Sequence, residues 1–440
     1  MPTPSTKTTI DPADFVSVID NPYLPLQPGT TLVYENPGND AFGTFIVTRD
    51  TKVIDGVTCT VIHDIAYEDG EVTEDTFDYH AQDKFGNVWY FGEDTKEIED
   101  GKVVSTEGSW RAGVDGAEPG IVMEAHPQVG DTYKQENAPG TAEDTAQVIS
   151  FNGAADVPYG MFGDLLDTKE FSPLEPGVVE HKLYGLGIGV LDAEENTGDF
   201  ERLVKIIFDG TAGADMIDGK AGKDELNGLA GNDRLNGEAG SDIVKGGRGG
   251  DVISGGNDTD ADILHGNQGH DHLFLRAGDK GYGGSGNDIL TLFDPEDFGL
   301  VSGGAGDSNL TKGRGDVLAF EGELDLTHNH RGDRVSGIET IAMHGAGKDE
   351  LTLSAHDILD LGGGTFDPTF SGPDKLGAGH AVRIDGGHGD EVTLTGGKWH
   401  EIEATNAPNG YDTYVRHTGS GDAYALVQED VQVHLTQSLS

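Results

Sequence analysis

Residues 210–254 read GTAGADMID, GKAGKDELN, GLAGNDRLN, GEAGSDIVK and GGRGGDVIS, five units of nine residues without a slip in register. The next unit, 255–265, carries two extra residues, and the pattern returns at 266–274 and 283–291. Each of these eight units has an aspartate that is followed two residues later by an aliphatic side chain. The aspartates are Asp215, Asp224, Asp233, Asp242, Asp251, Asp262, Asp271 and Asp288. Such a constant pattern predicts a repeated structural unit.

The nonamer predicts a tight turn followed by a short strand. Glycine at its first and fourth positions permits backbone angles that are closed to residues with a Cβ atom. In the strand after the aspartate, the two-residue period turns the aliphatic side chain inward. One unit buries almost nothing alone, so we expect units to stack on alternate sides of a flattened coil. Units on the same side are then eighteen residues apart.

Stacking at this spacing brings aspartates together and predicts bound calcium. The expected pairs are Asp215/Asp233, Asp233/Asp251 and Asp224/Asp242, with Asp242/Asp262 and Asp251/Asp271 stretched to a separation of twenty. Carboxylates this close repel one another unless a cation lies between them. Calcium takes six to eight oxygen ligands in flexible geometry, whereas magnesium demands a stricter octahedron. Several Ca²⁺ ions, in about five paired sites, are therefore expected.

The pattern resembles the RTX, or hemolysin-type, calcium-binding repeat, whose nonamer is GGxGxDxUx. The resemblance covers residues 210–320 and implies a calcium-binding parallel β-roll. The second glycine of the nonamer is replaced in the first four units by Thr211, Lys220, Leu229 and Glu238. The segment 275–282 lacks both the spacing and the inward aliphatic residue, so we expect no full calcium site there. Beyond Asp288 only degenerate half-turns are expected.

Composition excludes several classes of protein. The 440 residues include 28 Lys+Arg against 79 Asp+Glu, a formal net charge of −51, which opposes binding to nucleic acid or to an anionic membrane. The one cysteine, Cys59, excludes an intrachain disulfide and a cysteine-rich zinc module. No stretch approaches the ~18 consecutive apolar residues of a transmembrane segment.

Residues 1–209 are predicted to form an antiparallel β-meander domain. Runs of β-branched and aromatic residues are separated by Asp55-Gly56, Asp69-Gly70 and Asp100-Gly101, pairs that accept the positive φ angles of hairpin turns. Further strands are expected at 130–136, 144–151, 178–184 and 202–208, with at most one short helix near 160–170.

Residues 321–440 lose the nonamer but keep strand-like alternation, which predicts a β-rich cap. Their order of segments resembles the C-terminal tails of bacterial proteins exported by type I secretion. The resemblance implies a secretion signal in this cap, a type I ABC exporter as partner, and a secreted, extracellular or cell-surface location. The start of the chain lacks a charged region followed by an apolar one, so we do not expect a cleaved N-terminal signal.

A search for catalytic groups gives few candidates. HExxH and GxSxG are absent from the sequence, which argues against a zinc protease and an ordinary lipase. Asp78, His80 and His126 are the candidates for a polar site in residues 1–209. Asp78 and His80 share one face of a predicted strand, which we interpret as solvated, while His63 lies among apolar residues and is interpreted as a core histidine.

Other polar motifs are interpreted as structural. Twelve of the sixteen histidines follow residue 260, including His270, His272, His328 and His330. Their scattered spacing favours loop histidines over a transition-metal site. The tripeptide 314–316, Arg-Gly-Asp, matches an integrin-binding sequence, and we interpret the match as coincidence.

Taken together, these features predict a secreted calcium-binding protein whose β-roll folds on extracellular calcium. For residues 1–209, a non-catalytic binding or surface-associated module with a cell-surface or polysaccharide partner is favoured. An extracellular hydrolase with its active site in this domain is the alternative. A simple calcium buffer is a third interpretation.

Overall fold

The computed structural model of the chain describes residues 10–36, 41–306, 308–310, 313–327, 334–345, 347–369, 376 and 378–436. The chain divides into two compact units, Met1–Phe208 and Asp209–Ser440, which we name the front unit and the rear unit. Both are built almost wholly of β-strands, which confirms the predicted all-β class. Within the described ranges, no helix has the length and apolar character needed to cross a membrane.

The strands of the front unit follow one another through short turns, after a 3₁₀-helix at Pro12–Asp14. They are Phe15–Val16, Ile19–Asp20, Pro25–Leu26, Thr30–Asn36, Ala41–Ile54, Val57–Glu68, Glu71–Asp83, Val88–Asp94, Glu97–Glu99, Lys102–Ser105, Trp110–Arg111, Glu118–Met123, Thr132–Lys134, Glu136–Asn137, Thr145–Val157, Gly160–Phe171, Glu180–Gly185, Gly189–Glu195 and Phe200–Asp209. At the first predicted hairpin turn, Asp55 and Gly56 have φ angles of 48° and 85°. These left-handed angles are the ones that make an Asp-Gly pair favourable in a tight turn.

The antiparallel pairings of the front unit close on themselves. Consecutive long strands pair from Thr30–Asn36 to Val88–Asp94, which then pairs with Glu118–Met123. The segment 132–137 links Glu118–Met123 to Thr145–Val157. Its part Glu136–Asn137 pairs with the first of these strands, and its part Thr132–Lys134 pairs with the second. The last strand, Phe200–Asp209, returns to pair with Thr30–Asn36. The predicted meander is therefore confirmed, and its closure gives the sheet an inner and an outer face.

No helix forms near 160–170, where the sequence predicts at most one short helix. Gly160–Phe171 is a strand that pairs with Thr145–Val157. Its register shifts beside Leu165, and the preceding Asp164 has a φ angle of 55°. Leu165 and Leu166 are consecutive and both buried, because this irregularity breaks the two-residue alternation by which strands are recognised.

Two interpretations of polar residues in the front unit are wrong. The face of Asp78 and His80 is not solvated, because closure of the sheet turns it inward, and these side chains are only 7% and 6% exposed. His63 lies outside the apolar core. Its ring is partly exposed, stacks on Phe77, and places Nε2 2.7 Å from Oδ1 of Asp75.

The rear unit contains two long sheets of parallel strands, which we name the first and second roll sheets. The first consists of Met216–Asp218, Arg234–Asn236, Val252–Ser254, His272–Leu275, Ile289–Leu292, Val317–Phe320, Thr340–Met343, Gly379–Asp385 and Gly421–Gln428, extended by antiparallel Tyr411–Thr418 and His400–Ile402. The second contains Asp224–Asn227, Ile243–Arg248, Ile263–Gln268, Lys280–Ser285, Val301–Ala305 and Val335–Ser336. From Met216–Asp218 to Val317–Phe320, consecutive strands alternate between the two sheets, which is the predicted β-roll.

The segment after the repeats adds a third parallel stack to the rear unit. Its strands are Glu323–Asp325, Glu350–Ser354, Glu391–Thr395 and Gln432–Leu435. A short strand, Thr365–Phe366, pairs with the first roll sheet. The α-helix Ala355–Leu361 begins at a capping box of Ser354 and Asp357 and ends at Gly362, whose φ angle is 69°. The predicted β-rich character of this segment is confirmed.

Candidate calcium sites

The register of the roll sheets sets the geometry of the repeat. Met216–Asp218 pairs in parallel with Arg234–Asn236, so Ile217 lies beside Leu235, eighteen residues later. In the second roll sheet Leu226 lies beside Val244 at the same separation. Leu226 and Leu235 are almost fully buried, as predicted for the inward aliphatic position. The predicted stacking of alternate units is therefore confirmed.

Aspartate occupies the same position in each unit, and these aspartates form two ladders of hydrogen bonds. In each, an aspartate Oδ1 accepts the backbone N–H of the aspartate one turn earlier on the same side, over 2.8–3.0 Å. The first ladder is Asp215, Asp233, Asp251, Asp271, Asp288 and Asp316. The second ladder is Asp224, Asp242, Asp262 and Asp279. All of the predicted aspartate pairs are adjacent members of a ladder.

The other carboxylate oxygen of most ladder aspartates is left without a partner. Oδ2 of Asp233, Asp242, Asp251, Asp271, Asp288 and Asp316 is buried and has no hydrogen-bond partner among the residues that the structure describes. Around it lie carbonyl groups of the glycine turns. A Cβ atom on Gly228, for example, would come 2.5 Å from Oδ2 of Asp233 and would also overlap the carbonyl oxygen of Gly246. At Gly228 a carbonyl oxygen of the next turn therefore lies close to Oδ2 of Asp233, in space that a Cβ atom would fill.

Electrostatics of the ladders favour a bound cation. Burial, with the neighbouring Asp224 and Asp262 carboxylates, raises the pKa of Asp242 to about 8. Burial and the nearby Asp279 and Asp258 carboxylates raise the pKa of Asp262 to about 7. Without a positive charge these carboxylates thus resist ionisation, because a buried anion beside like charges is unfavourable.

The donor set fits calcium better than other metals. Among the described residues, no group of three or more His, Cys, Asp or Glu side chains is placed to hold a metal ion. Each step of a ladder instead offers two carboxylates and the carbonyls of glycine turns, and calcium accepts backbone oxygen readily. Of the histidines considered for a transition-metal site, His270 is hydrogen-bonded to Asn287 and His272 to Thr291. His328 and His330 lie outside the described residues.

The ends of the ladders differ from those expected. Beyond Asp288, where only degenerate half-turns are predicted, the first ladder continues: Asp288 is fully buried, and its N–H donates to Asp316 Oδ1. The segment 275–282 supplies Asp279, which accepts the N–H of Asp262 over 3.0 Å, so the ladder continues where the spacing predicted a break. The missing aliphatic residue is confirmed there, since Gly281 occupies its place and Leu275 fills the adjoining space.

A third set of aspartates was missed by the sequence analysis. Asp349 Oδ1 accepts the N–H of Gly322 over 2.7 Å, and its own N–H donates to Asp390 Oδ1 over 3.1 Å. Both side chains are at least 95% buried. The signal that could have found them is an aspartate followed two residues later by Leu351 or Val392, without the regular spacing of nine.

The Arg-Gly-Asp tripeptide at 314–316 is part of the fold. Asp316 is fully buried in the first ladder, and Arg314 pairs with Asp385 at 3.0 Å. An integrin would need the aspartate to be accessible, so the interpretation of a coincidental match agrees with the structure.

The candidate polar residues of the front unit lie in different environments. Asp78 Oδ1 accepts a hydrogen bond from Tyr90 Oη over 2.6 Å, and the His80 ring stacks on the Tyr90 ring at 4.6 Å. Burial lowers the pKa of His80 to about 3, so the ring is neutral at physiological pH. His126 is exposed and thus does not share the interior of the sheet. No catalytic role is predicted for these residues, and their place as candidates for a polar site stays a prediction.

These features define a parallel β-roll with aspartate ladders, and comparison with known proteins agrees. Residues 209–244, 239–273 and 258–290 match the RTX calcium-binding nonapeptide repeat, in a family model that contains four copies. The rear unit therefore carries calcium-binding RTX repeats. None of the curated proteins matches the chain. A crystal structure from Bacteroides fragilis, described as having a YmcC-like fold, is 15% identical, with 42% of this chain and 98% of that chain covered and a TM-score of 0.27. This likeness is too slight to carry an argument.

Proposed function

We propose that this is a secreted protein whose RTX β-roll folds on extracellular calcium after export by a type I ABC transporter. The observation that carries the proposal is the row of buried Oδ2 atoms without a partner along the ladders. Such atoms destabilise a fold unless a ligand satisfies them. A cation beside each step would satisfy them and cancel the repulsion between successive carboxylates.

The proposed switch follows from the concentration of calcium on each side of the cell envelope. Extracellular calcium modules bind with dissociation constants of about 10⁻⁴–10⁻³ M. In the calcium-poor cytosol the repeats would stay unfolded and able to thread through an exporter. Outside, calcium would add positive charge to a chain with a net charge of −51. About five ions would contribute roughly ten positive charges, since each calcium is divalent.

Hydrogen exchange on the full chain tests the calcium dependence. We expect amides of the roll strands, such as Arg234–Asn236 and Ile243–Arg248, to be protected in millimolar calcium and to lose protection in excess chelator. Amides of the front unit should stay protected in both conditions, which is the internal control. Magnesium in place of calcium should not restore the roll. Equal protection of the roll with and without chelator would overturn the proposal.

The export route rests on the resemblance of the C-terminal segment to type I secretion substrates. We propose that residues 380–440 are required for export and that residues 1–209 are not. Replacing residues 1–209 with a reporter domain should leave secretion intact in a host that carries a type I exporter. Secretion of a chain that lacks residues 380–440 would contradict this route.

For the front unit we propose a binding or surface-associated role, with a cell-surface or polysaccharide partner, in preference to hydrolysis. The buried, neutral His80 and the hydrogen-bonded Asp78 support this preference, because neither is placed as an exposed acid or base. Cell-binding assays with the full chain and with a chain lacking residues 1–209 test it. Hydrolysis of a polysaccharide or ester panel, lost in His80→Phe, would favour the hydrolase alternative instead. Calcium binding without cell binding or hydrolysis would favour the buffer.

A further inference from the structure

A cavity of about 150 Å³ lies on the inner face of the front unit. Its apolar wall includes Leu24 and Leu26, on the segment that precedes the closed sheet, and Leu32, Phe45 and Val190 on the sheet itself. Leu24, Leu26 and Leu32 are almost fully buried. An apolar cavity of this size holds a molecule about as large as benzene.

Lys182 gives the cavity one polar end. Its Nζ lies 2.9 Å from Oε2 of Glu170 and 2.9 Å from Oε2 of Glu180. Burial alone would lower the pKa of Lys182, but the Glu170 and Glu180 carboxylates raise it well above its ordinary value, so the amine is charged. An ammonium group has three N–H donors. Two are used by the glutamates, which leaves one for a ligand.

The two tyrosines beside Lys182 have already used their hydroxyl protons. Tyr34 Oη donates to the carbonyl oxygen of Val190 over 3.0 Å. Tyr184 Oη lies 3.3 Å from Oε1 of Glu170 and donates to it. Neither hydroxyl proton is therefore available to a ligand.

His80 provides the second polar group in the lining. Only 6% of His80 is exposed. Its Nδ1 has no hydrogen-bond partner among the residues that the structure describes. The ring is held by stacking on Tyr90. A neutral imidazole can accept one hydrogen bond and donate another. A buried ring nitrogen without a partner is unfavourable, so a ligand or water that bonds to Nδ1 would stabilise the site.

We infer that this cavity binds a small uncharged molecule with a compact apolar body and one hydroxyl group. The hydroxyl oxygen accepts a hydrogen bond from the third N–H of Lys182, and the hydroxyl group donates a hydrogen bond to His80. An ion of either sign is disfavoured, because the mostly apolar wall does not replace its water of hydration. Glu170 and Glu180 also repel an anion, and the Lys182 ammonium group, the member of this cluster that lines the cavity, also repels a cation. This inference rests on the proposed binding role of the front unit.

Titration of the full chain with benzyl alcohol, in calcium, tests the inference. Toluene lacks the hydroxyl group, while benzylamine and benzoate carry charges of opposite sign on bodies of similar size. We expect saturable binding of benzyl alcohol by calorimetry or ligand-observed NMR. Toluene should bind about five- to thirtyfold more weakly, the value of one or two hydrogen bonds, and the charged probes more weakly still. Equal binding of benzyl alcohol and toluene would overturn the assigned polar contacts.

Two variants and a control locate the site. His80→Phe keeps an aromatic ring against Tyr90 and should reduce the preference for benzyl alcohol over toluene, because only the Lys182 contact is left, while toluene still binds. Val190→Phe fills the cavity and should abolish binding of both probes, whereas Val129→Phe, at an exposed position, should not. Unchanged binding in folded Val190→Phe would place the ligand elsewhere. Hydrogen exchange of the roll and cell binding are measured in separate experiments. A negative titration with the small-molecule probes is therefore distinguishable from failure of the proposed function.

Discussion

Replacing Leu235 with alanine should destabilise the roll by an amount that calcium cannot restore. Leu235 is 1% exposed and lies between Ile217 and Ile253 on the neighbouring turns of the first roll sheet. Truncation removes three buried carbon atoms, at about 0.8 kcal/mol each by transfer, and leaves a cavity that a stacked sheet cannot close. We therefore expect the free energy of unfolding at saturating calcium to fall by ~2–5 kcal/mol.

Replacing Asp233 with asparagine should produce a different defect. The amide keeps the size of the side chain and an oxygen that can accept the N–H of Asp215. In the native protein Asp233 Oδ1 accepts this hydrogen bond over 2.8 Å. It removes the charge beside both neighbouring steps, because Asp233 lies between Asp215 and Asp251. We expect the calcium concentration for half-folding to rise and the stability to recover at high calcium, because mass action repopulates the bound state.

Thermal melts of both variants across a calcium titration decide between these outcomes. Asp215→Asn is the matched control, since Asp215 begins the first ladder and contacts one neighbouring aspartate, Asp233. Its half-folding calcium concentration should shift less than that of Asp233→Asn. Equal shifts in these two variants would refute the assignment of shared ions to adjacent steps. Full rescue of Leu235→Ala by calcium would refute the packing argument.

Two further predictions concern glycine turns and pH. Gly249→Ala should prevent folding of the roll at any calcium concentration, because its φ angle is 124° and a Cβ would overlap the carbonyl oxygen of Gly231. Gly213→Ala should be tolerated in the same circular dichroism assay, because its Cβ would lie 3.7 Å from Thr211 Oγ1, an ordinary van der Waals contact. Burial and the nearby Glu201 and Glu74 carboxylates raise the pKa of Asp64 to about 7, so the folded front unit binds this proton more tightly than the unfolded chain does. Its stability should therefore fall as pH rises from about 4 to 7. Asp64→Asn should remove that loss of stability, which is about 4 kcal/mol at most. The variant should therefore raise the melting temperature at pH 8 but not at pH 4. Equal effects at both pH values would contradict ionisation of Asp64 as the cause.

The sequence predicts the roll well because its signal is local and repeated. An aspartate and an aliphatic residue two positions later specify one turn and one strand, and the parallel register of Ile217 on Leu235 follows from stacking alone. Nothing comparable exists in the front unit. There the inward position of Asp78 and His80 depends on the pairing of Phe200–Asp209 with Thr30–Asn36, between strands far apart in sequence. A face-by-face interpretation of a single strand cannot detect such closure.

The spacing between ladder aspartates shows which part of the repeat is physically required. Steps of 17, 18, 20 and 28 residues all give the same hydrogen bond from a backbone N–H to Oδ1. Extra residues therefore lie in the turns, where loop length costs little free energy, while the strand after each aspartate stays in register. The requirement is an aspartate at the turn, and the inward residue two positions later is aliphatic at every ladder step except that of Asp279, where it is Gly281. This explains why Asp349 and Asp390 stack without the nonamer, and why a search for a strict period of nine ends before the parallel stack does.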